Sequence, residues 1–142
     1  MSPAIRTFEP SDYPAARALW QRTPGVGLSA ADEQGPVQRF LARNNGLSFV
    51  AYDQDNLVGT VLCGHDGRRG LIHHLVSAET HRRQGLGRTL LRQGLRALRA
   101  EGIDKCHLLV FRENKQGLAF WHAVSAVERI EVALFSLATS DA

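Results

Sequence analysis

The chain has 142 residues, 44% of them hydrophobic and 22% charged, with a net charge of +3. That length suffices for one buried core, and the composition excludes a disordered chain and a small disulfide-stapled domain. Cys63 and Cys106 lack metal-ligand spacing, the N-terminus has no apolar signal core, and no apolar run reaches membrane-spanning length, so one soluble domain, 1–142, in a reducing cytoplasmic compartment is expected, without metal or membrane.

Ala4–Phe8 predicts a short strand. Ser11 or Asp12 can cap a helix with Pro14 in its first turn and Ala15, Ala16, Leu19 and Trp20 on its apolar face. After the loop Thr23–Leu28, Ser29 and Asp32 have the spacing of a capping box for a second helix, which Gly35-Pro36 interrupts before Val37, Phe40 and Leu41. Leu47–Tyr52 and Leu57–Gly64 predict a hairpin about Asp53–Asn56, and Asp66-Gly67 predicts a tight turn into a strand at Leu71–Ser77.

A helix is predicted from Gly85 to Glu101, with Leu86, Leu90, Leu91, Leu95 and Leu98 on one face and Gly102 as its stop. Lys105–Phe111 is a near-continuous apolar run, as in a strand covered on both faces. Asn114 can cap a short helix carrying Leu118, Phe120, Trp121 and Val124, and Val127–Leu137 predicts a last strand. The order is strand, two helices, three strands, helix, strand, helix, strand. This is an α/β domain whose middle strands are joined by hairpins, unlike a sheet built only of βαβ units.

Between the strand Leu71–Ser77 and the long helix lies RRQGLG, Arg82–Gly87. It is neither a G-x-G-x-x-G fingerprint nor a Walker A loop. It still has the parts of an anion site: a helix N-terminus offers unpaired N–H groups and partial positive charge, and glycine lets the backbone approach a ligand. Arg83 and Arg88 can add charge-assisted contacts. The row Arg88, Arg92, Arg96 and Arg99 has helical spacing and reads as a solvated face. No aromatic stacking set or helix-turn-helix accompanies it, so nucleic-acid binding is not expected.

The element order together with Arg82-x-x-Gly85-x-Gly87 after an apolar strand resembles the GCN5-related N-acetyltransferases, the GNAT superfamily. The resemblance runs from Ile5 to about Leu137 and includes the Asn114…Phe120-Trp121 stretch. LCGHDGRRG and GIDKCHLLVF further resemble a bacterial branch near the YpeA-type acetyltransferases. The resemblance implies a mixed, mostly antiparallel sheet of six to seven strands with helices on both faces, binding acetyl-CoA between the strands Leu71–Ser77 and Lys105–Phe111. It implies that Leu75, Val76 and Ser77 pair with the pantetheine arm. The pyrophosphate would lie on Arg82, Arg83, Gln84, Gly85, Leu86, Gly87 and Arg88, Asn114 would bond the pantetheine region, and Trp121 would belong to the cofactor site. The implied reaction is direct acetyl transfer to a primary amine, without a covalent enzyme intermediate and without metal. Homodimer formation is left open.

The chain departs from the family pattern at the chemistry. Many members carry a tyrosine acid where this chain has Trp121, whose indole cannot give up a proton at useful pH. The ribosomal-protein branch places a glutamate base where this chain has Leu109. What remains on the catalytic strand is His73, which matches a histidine of the arylalkylamine acetyltransferases, and His74 as the weaker alternative; strand alternation puts the two on opposite faces. Glu79 and His122 are lesser candidates, and a water chain aided by backbone polarisation of the thioester is a rival. Val124-Ser125-Ala126 replaces the glycine with which the family often leaves this helix. Acceptor contacts are expected from Thr23–Asp32, where Asp32 and Glu33 can attract a cation. The missing tyrosine and glutamate also fit an acyl-CoA-binding module without turnover.

Overall fold

The computed structural model describes residues 2–140. Five strands form one sheet in sequence order: β1 (Ala4–Thr7), β2 (Phe49–Asp53), β3 (Asn56–His65), β4 (Gly70–Ser77) and β5 (Cys106–Leu108). Neighbours run antiparallel except β4 and β5, which are parallel. Among the described residues four α-helices accompany them: α1 (Tyr13–Gln21), α2 (Gln34–Arg43), α3 (Leu86–Ala100) and α4 (Lys115–Ala123).

Burial of both faces explains why β3 reads as an almost unbroken apolar run. Thr60 bonds Trp20 of α1, and Gly64 sits so close to Asn44 and Phe40 that an added Cβ would lie 2.6 Å from the Asn44 amide. On the other face Gly59 meets Leu86 and Leu90 of α3, and a Cβ on Gly94 would lie 2.6 Å from Cys63 Sγ. Helices α1 and α2 therefore cover one face and α3 the other. The core between them holds Trp20, Leu19, Val50, Val61, Leu90 and Leu98. Both cysteines are free, and burial chiefly pushes the Cys63 thiol up to about 12.

The turns follow the sequence. Gln54, with φ +56, makes the β2–β3 hairpin, and Asp66 Oδ1 accepts from the N–H groups of Arg68 and Arg69 in the β3–β4 turn. Gly102, at φ +84, closes α3 with N–H bonds from Gly102 to Arg99 and from Ile103 to Leu98.

Four expectations are corrected. The sheet has five strands among the described residues rather than six to seven, because Val127–Leu137 finds no ladder partner and its large apolar side chains stay exposed. β5 is a three-residue strand rather than Lys105–Phe111, and Leu109 and Phe111 beyond it are exposed, with no further strand beside it among the described residues. The Ser29–Asp32 capping box is real but closes only the one-turn helix Ala30–Asp32; α2 starts afterwards, with Gly35 and Pro36 in its first turn, where a missing N–H costs nothing. Asp12 precedes α1 without capping it, since its carboxylate is taken by Nη1 and Nη2 of Arg6, the Glu9 N–H and the Tyr52 hydroxyl.

Candidate functional site

The parallel β4–β5 ladder lasts only from Gly70–Cys106 to Ile72–Leu108. Beyond it the strands part, leaving the β5-facing edge of His73–Ser77 without a strand partner among the described residues. A cleft of about 1330 Å³ fills the gap. Its walls are β4 from Ile72 to Ser77, the chain from Leu108 to Phe111, the Arg82–Arg88 loop, α4, and the α1–α2 loop. Val132 and Leu134 of the C-terminal segment also reach it.

At the base of the cleft stands the N-terminus of α3. Gly85 takes φ +80, a left-handed conformation that suits glycine, and no side chain caps the helix behind it. An added Cβ at Gly85 would meet nothing within 4 Å, whereas at Gly87 it would lie 3.3 Å from Phe120 and 3.7 Å from Ser77 Oγ. The first-turn N–H groups have no side-chain cap, and Arg82, Arg83 and Arg88 line the cleft beside them. These are the features a diphosphate needs: free donors, positive charge and room. Of the residues expected to hold the cofactor, Leu75, Val76, Ser77, Arg82, Arg83, Gly85, Leu86, Gly87, Arg88, Asn114 and Trp121 all line the cleft. Gln84, which is exposed, does not.

Asn114 caps α4 as expected, its Oδ1 accepting from the Gly117 N–H at 3.0 Å. The α1–α2 loop presses against this corner. A Cβ on Gly25 would lie 2.8 Å from the Asn114 amide, and one on Gly27 would lie 2.5 Å from the Phe111 ring. At the far end of α4, Ser125 adopts φ +69, so this non-glycine exit uses the left-handed geometry a glycine would take and carries its strain. Trp121 packs edge-on against Phe120 at 5.1 Å and lines the cleft.

The two histidines share one face, contrary to simple alternation. Between the pairs Thr60–Val76 and Leu62–His73, β3 contributes one residue and β4 two, so β4 bulges at His74 and Leu75. His74 sits at φ +46, and the extra residue turns its ring to the same side as that of His73, toward α1 and α2. The His73 ring packs edge-on against Phe40 at 5.8 Å. Burial, then the neighbouring His74, lower its pKa below the usual imidazole value, with Asp32 opposing, which favours its neutral form. His74 lies 4.5 Å from Trp20, ring to ring, and its Nε2 is 2.6 Å from Asp32 Oδ1. The bulge is anchored from within the core: Thr60 Oγ1 donates to the His74 carbonyl at 2.8 Å and accepts from Trp20 Nε1 at 2.9 Å.

Residue types and local spacing did not join Asp32 to His74, or Thr60 and Trp20 to the bulge. Their partners lie 42, 14 and 40 positions away, and only the fold brings them together. Glu79 lies in a short turn after β4 and His122 is exposed on α4, and neither lines the cleft. Leu109, at the position that would carry the glutamate base, lines the cleft with its inert side chain.

The family model described as the acetyltransferase (GNAT) family matches residues 13–124. An acetyltransferase of Pectobacterium atrosepticum is 31% identical over 110 residues, covering 78% of this chain and 77% of the relative. Among solved structures, Ard1 of Thermoplasma volcanium aligns with a TM-score of 0.77 at 18% identity, covering 88% of this chain and 82% of its own. The PaiA N-acetyltransferase of Thermoplasma acidophilum, solved in complex with coenzyme A, aligns with a TM-score of 0.73 at 20% identity, covering 87% of this chain and 89% of its own. At those identities the structures speak for the fold alone. Matched from the start of α1 to the exit of α4, and similar in sequence to a curated acetyltransferase, this chain belongs to the acetyltransferase (GNAT) family.

Proposed function

We propose that the protein is an N-acetyltransferase that moves the acetyl group of acetyl-CoA to a primary amine. The observation that carries this reading is the early parting of β4 and β5 directly above the uncapped N-terminus of α3. An extended pantetheine arm would take the place of a strand along Leu75–Ser77, and its diphosphate would lie on the Arg82–Arg88 loop. The acetyl end would then reach the bulge at His74. There the acceptor enters past the α1–α2 loop, and its nitrogen attacks the thioester carbonyl carbon. A free alkylamine is protonated at neutral pH, with a pKa of about 10, so the site must also remove a proton. His73 and His74 are the groups available on β4. The CoA thiolate, with a pKa of about 8.5, leaves readily and takes a proton to complete the exchange. No metal is required for this chemistry.

The test is thermal unfolding with and without acetyl-CoA, run beside thiol release over a panel of amines. A ligand at a hundredfold excess over its Kd stabilises the folded state by about 2.7 kcal/mol. A clear upward shift that is lost when Gly85 and Gly87 are replaced by leucine, in a variant that still folds, supports the cofactor assignment. No shift at millimolar acetyl-CoA overturns it. A shift without thiol release from any amine would favour a binding module without turnover, the reading to which Trp121 and Leu109 lend weight.

A further inference from the structure

We infer that Asp32 and His74 act as a proton-handling pair, in which Asp32 is the positioning residue and Nδ1 of His74 is the base for the attacking amine. This rests on the transfer reading above and adds what that reading leaves open, namely which histidine works and what orients it.

Asp32 is held from three sides. Its Oδ2 accepts from the Ser29 N–H at 2.9 Å, and its carbonyl accepts from the Tyr13 hydroxyl at 2.6 Å and Arg17 Nη1 at 2.9 Å. That leaves Oδ1 aimed at His74 Nε2, 2.6 Å away, with both side chains 14% exposed. An ionised carboxylate only accepts, so the imidazole hydrogen sits on Nε2 and the lone pair on Nδ1. Nδ1 has no hydrogen-bond partner among the described residues, where no buried side-chain polar atom is left unpaired. It therefore reaches accessible space, and His74 lines the cleft. Trp20 against the ring and Thr60 on the carbonyl fix its remaining freedom. His73 has no such orienting hydrogen bond among the described residues; its ring meets Phe40. A carboxylate that sets the tautomer and a ring whose free nitrogen opens on the cleft make a general base.

The step balances without any further reactant. The acceptor reacts as the neutral amine, its ammonium proton already released to solvent; its nitrogen forms a C–N bond to the thioester carbonyl carbon as the C=O π pair moves to oxygen, and an N–H proton passes to Nδ1. The C–S bond then breaks with its electron pair on sulfur, and the imidazolium returns the proton to the thiolate. The products are the amide, free thiol and neutral His74. The titratable and charged groups facing the ring are His73 on β4 and Asp32, with Tyr13 and Arg17 of α1 behind Asp32.

The test compares wild type with Asp32→Asn, Asp32→Glu and His74→Gln, using whichever amine supports thiol release. His74→Gln retains a donor for Asp32 but no base, so kcat falls about 100-fold or more while the KM for acetyl-CoA and the thermal shift it causes persist. The acid-side fall of kcat with pH disappears from the residual activity. Asp32→Asn presents an amide donor to Nε2, moves the hydrogen to Nδ1 and costs about 100-fold in kcat, and Asp32→Glu recovers part of it. A merely structural pair predicts that the acid-side fall survives in His74→Gln and that KM and kcat worsen together. Either result, or kcat within about threefold of wild type in both Asp32→Asn and His74→Gln, overturns the pair while leaving acetyl transfer standing. A wild type that binds acetyl-CoA but acetylates no amine overturns both.

Discussion

Thr60→Val removes one hydroxyl from the middle of the sheet and keeps the side-chain shape. Thr60 is fully buried, with its Oγ1 accepting from Trp20 Nε1 and donating to the His74 carbonyl. Valine can do neither, so one fully buried N–H and one partly buried carbonyl lose their partners. An orphaned buried group costs about 1–3 kcal/mol. The Trp20 N–H is fully buried, while the bond to the His74 carbonyl is only partly buried and that carbonyl can rehydrate in part, so the sum is about 2–4 kcal/mol. At roughly 4 °C per kcal/mol for a chain of this size, Tm falls by roughly 8–16 °C. Urea unfolding followed by tryptophan fluorescence reads the loss directly. Thr60→Ser, which keeps the hydroxyl and gives up one methyl, is expected to lose only about 1 kcal/mol. In a cycle with Trp20→Phe, the two substitutions couple by at least about 0.5 kcal/mol. A Thr60→Val variant within about 0.5 kcal/mol of wild type, or a cycle that is additive, would refute the bonded chain from Trp20 to the bulge.

Two further outcomes follow from groups outside the cleft. Burial alone would raise the Asp12 carboxyl, but the bonds from Arg6, Glu9 N–H and Tyr52 outweigh it and hold the pKa below the usual carboxylate value. A depressed folded pKa means the contribution is complete above the unfolded value, about pH 4, and is lost as pH falls through the folded one. The gap in urea midpoint between wild type and Asp12→Asn should therefore be constant from pH 7 to about pH 5 and shrink below about pH 4; a gap that does not change would contradict the geometry. At Ser125, a left-handed non-glycine conformation costs about 1–2 kcal/mol, and glycine there adds about 0.4–1 kcal/mol of chain entropy to the unfolded state. The strain is the larger figure, so Ser125→Gly should stabilise by about 0.5–1 kcal/mol in the same assay, and a loss of stability would show that the φ of +69 is not strained.

Hydrophobic pattern and turn chemistry were enough to read the hairpin about Gln54, the α3 stop at Gly102 and the cap at Asn114, because each depends on residues within a few positions of one another. The anion loop was legible for the same reason: Gly85, Gly87 and the arginines sit together in one loop after one strand, whereas the cleft above it was expected only through the family resemblance. Features that depend on distant partners were not. Ser29 and Asp32 have the right spacing for a helix start, yet an extended Glu33 ends that turn after three residues. His73 and His74 read as opposite-facing because nothing in LIHHLVS marks a bulge; a histidine, rather than a glycine, occupies φ +46. Val127–Leu137 has the composition of a strand, but a strand also needs an edge to pair with, and no stretch of sequence contains its own partner.

The three-rung seam between β4 and β5 also divides the molecule by resistance to opening. From β1 to β4 neighbouring strands share antiparallel ladders of four, five and six paired positions, whereas β5, with α4 after it, joins that body through only three, Gly70–Cys106 to Ile72–Leu108. Amide protons of β5 and α4 should thus exchange well before those of β3, in a partial unfolding that leaves the α1–α3 body intact. Anything that lodges along the free edge of His73–Ser77 and also touches Leu108–Phe111 spans that seam. Its binding would slow exchange most in the C-terminal third of the chain, far beyond the residues it contacts, so the cleft doubles as the clasp of the fold's least secure part.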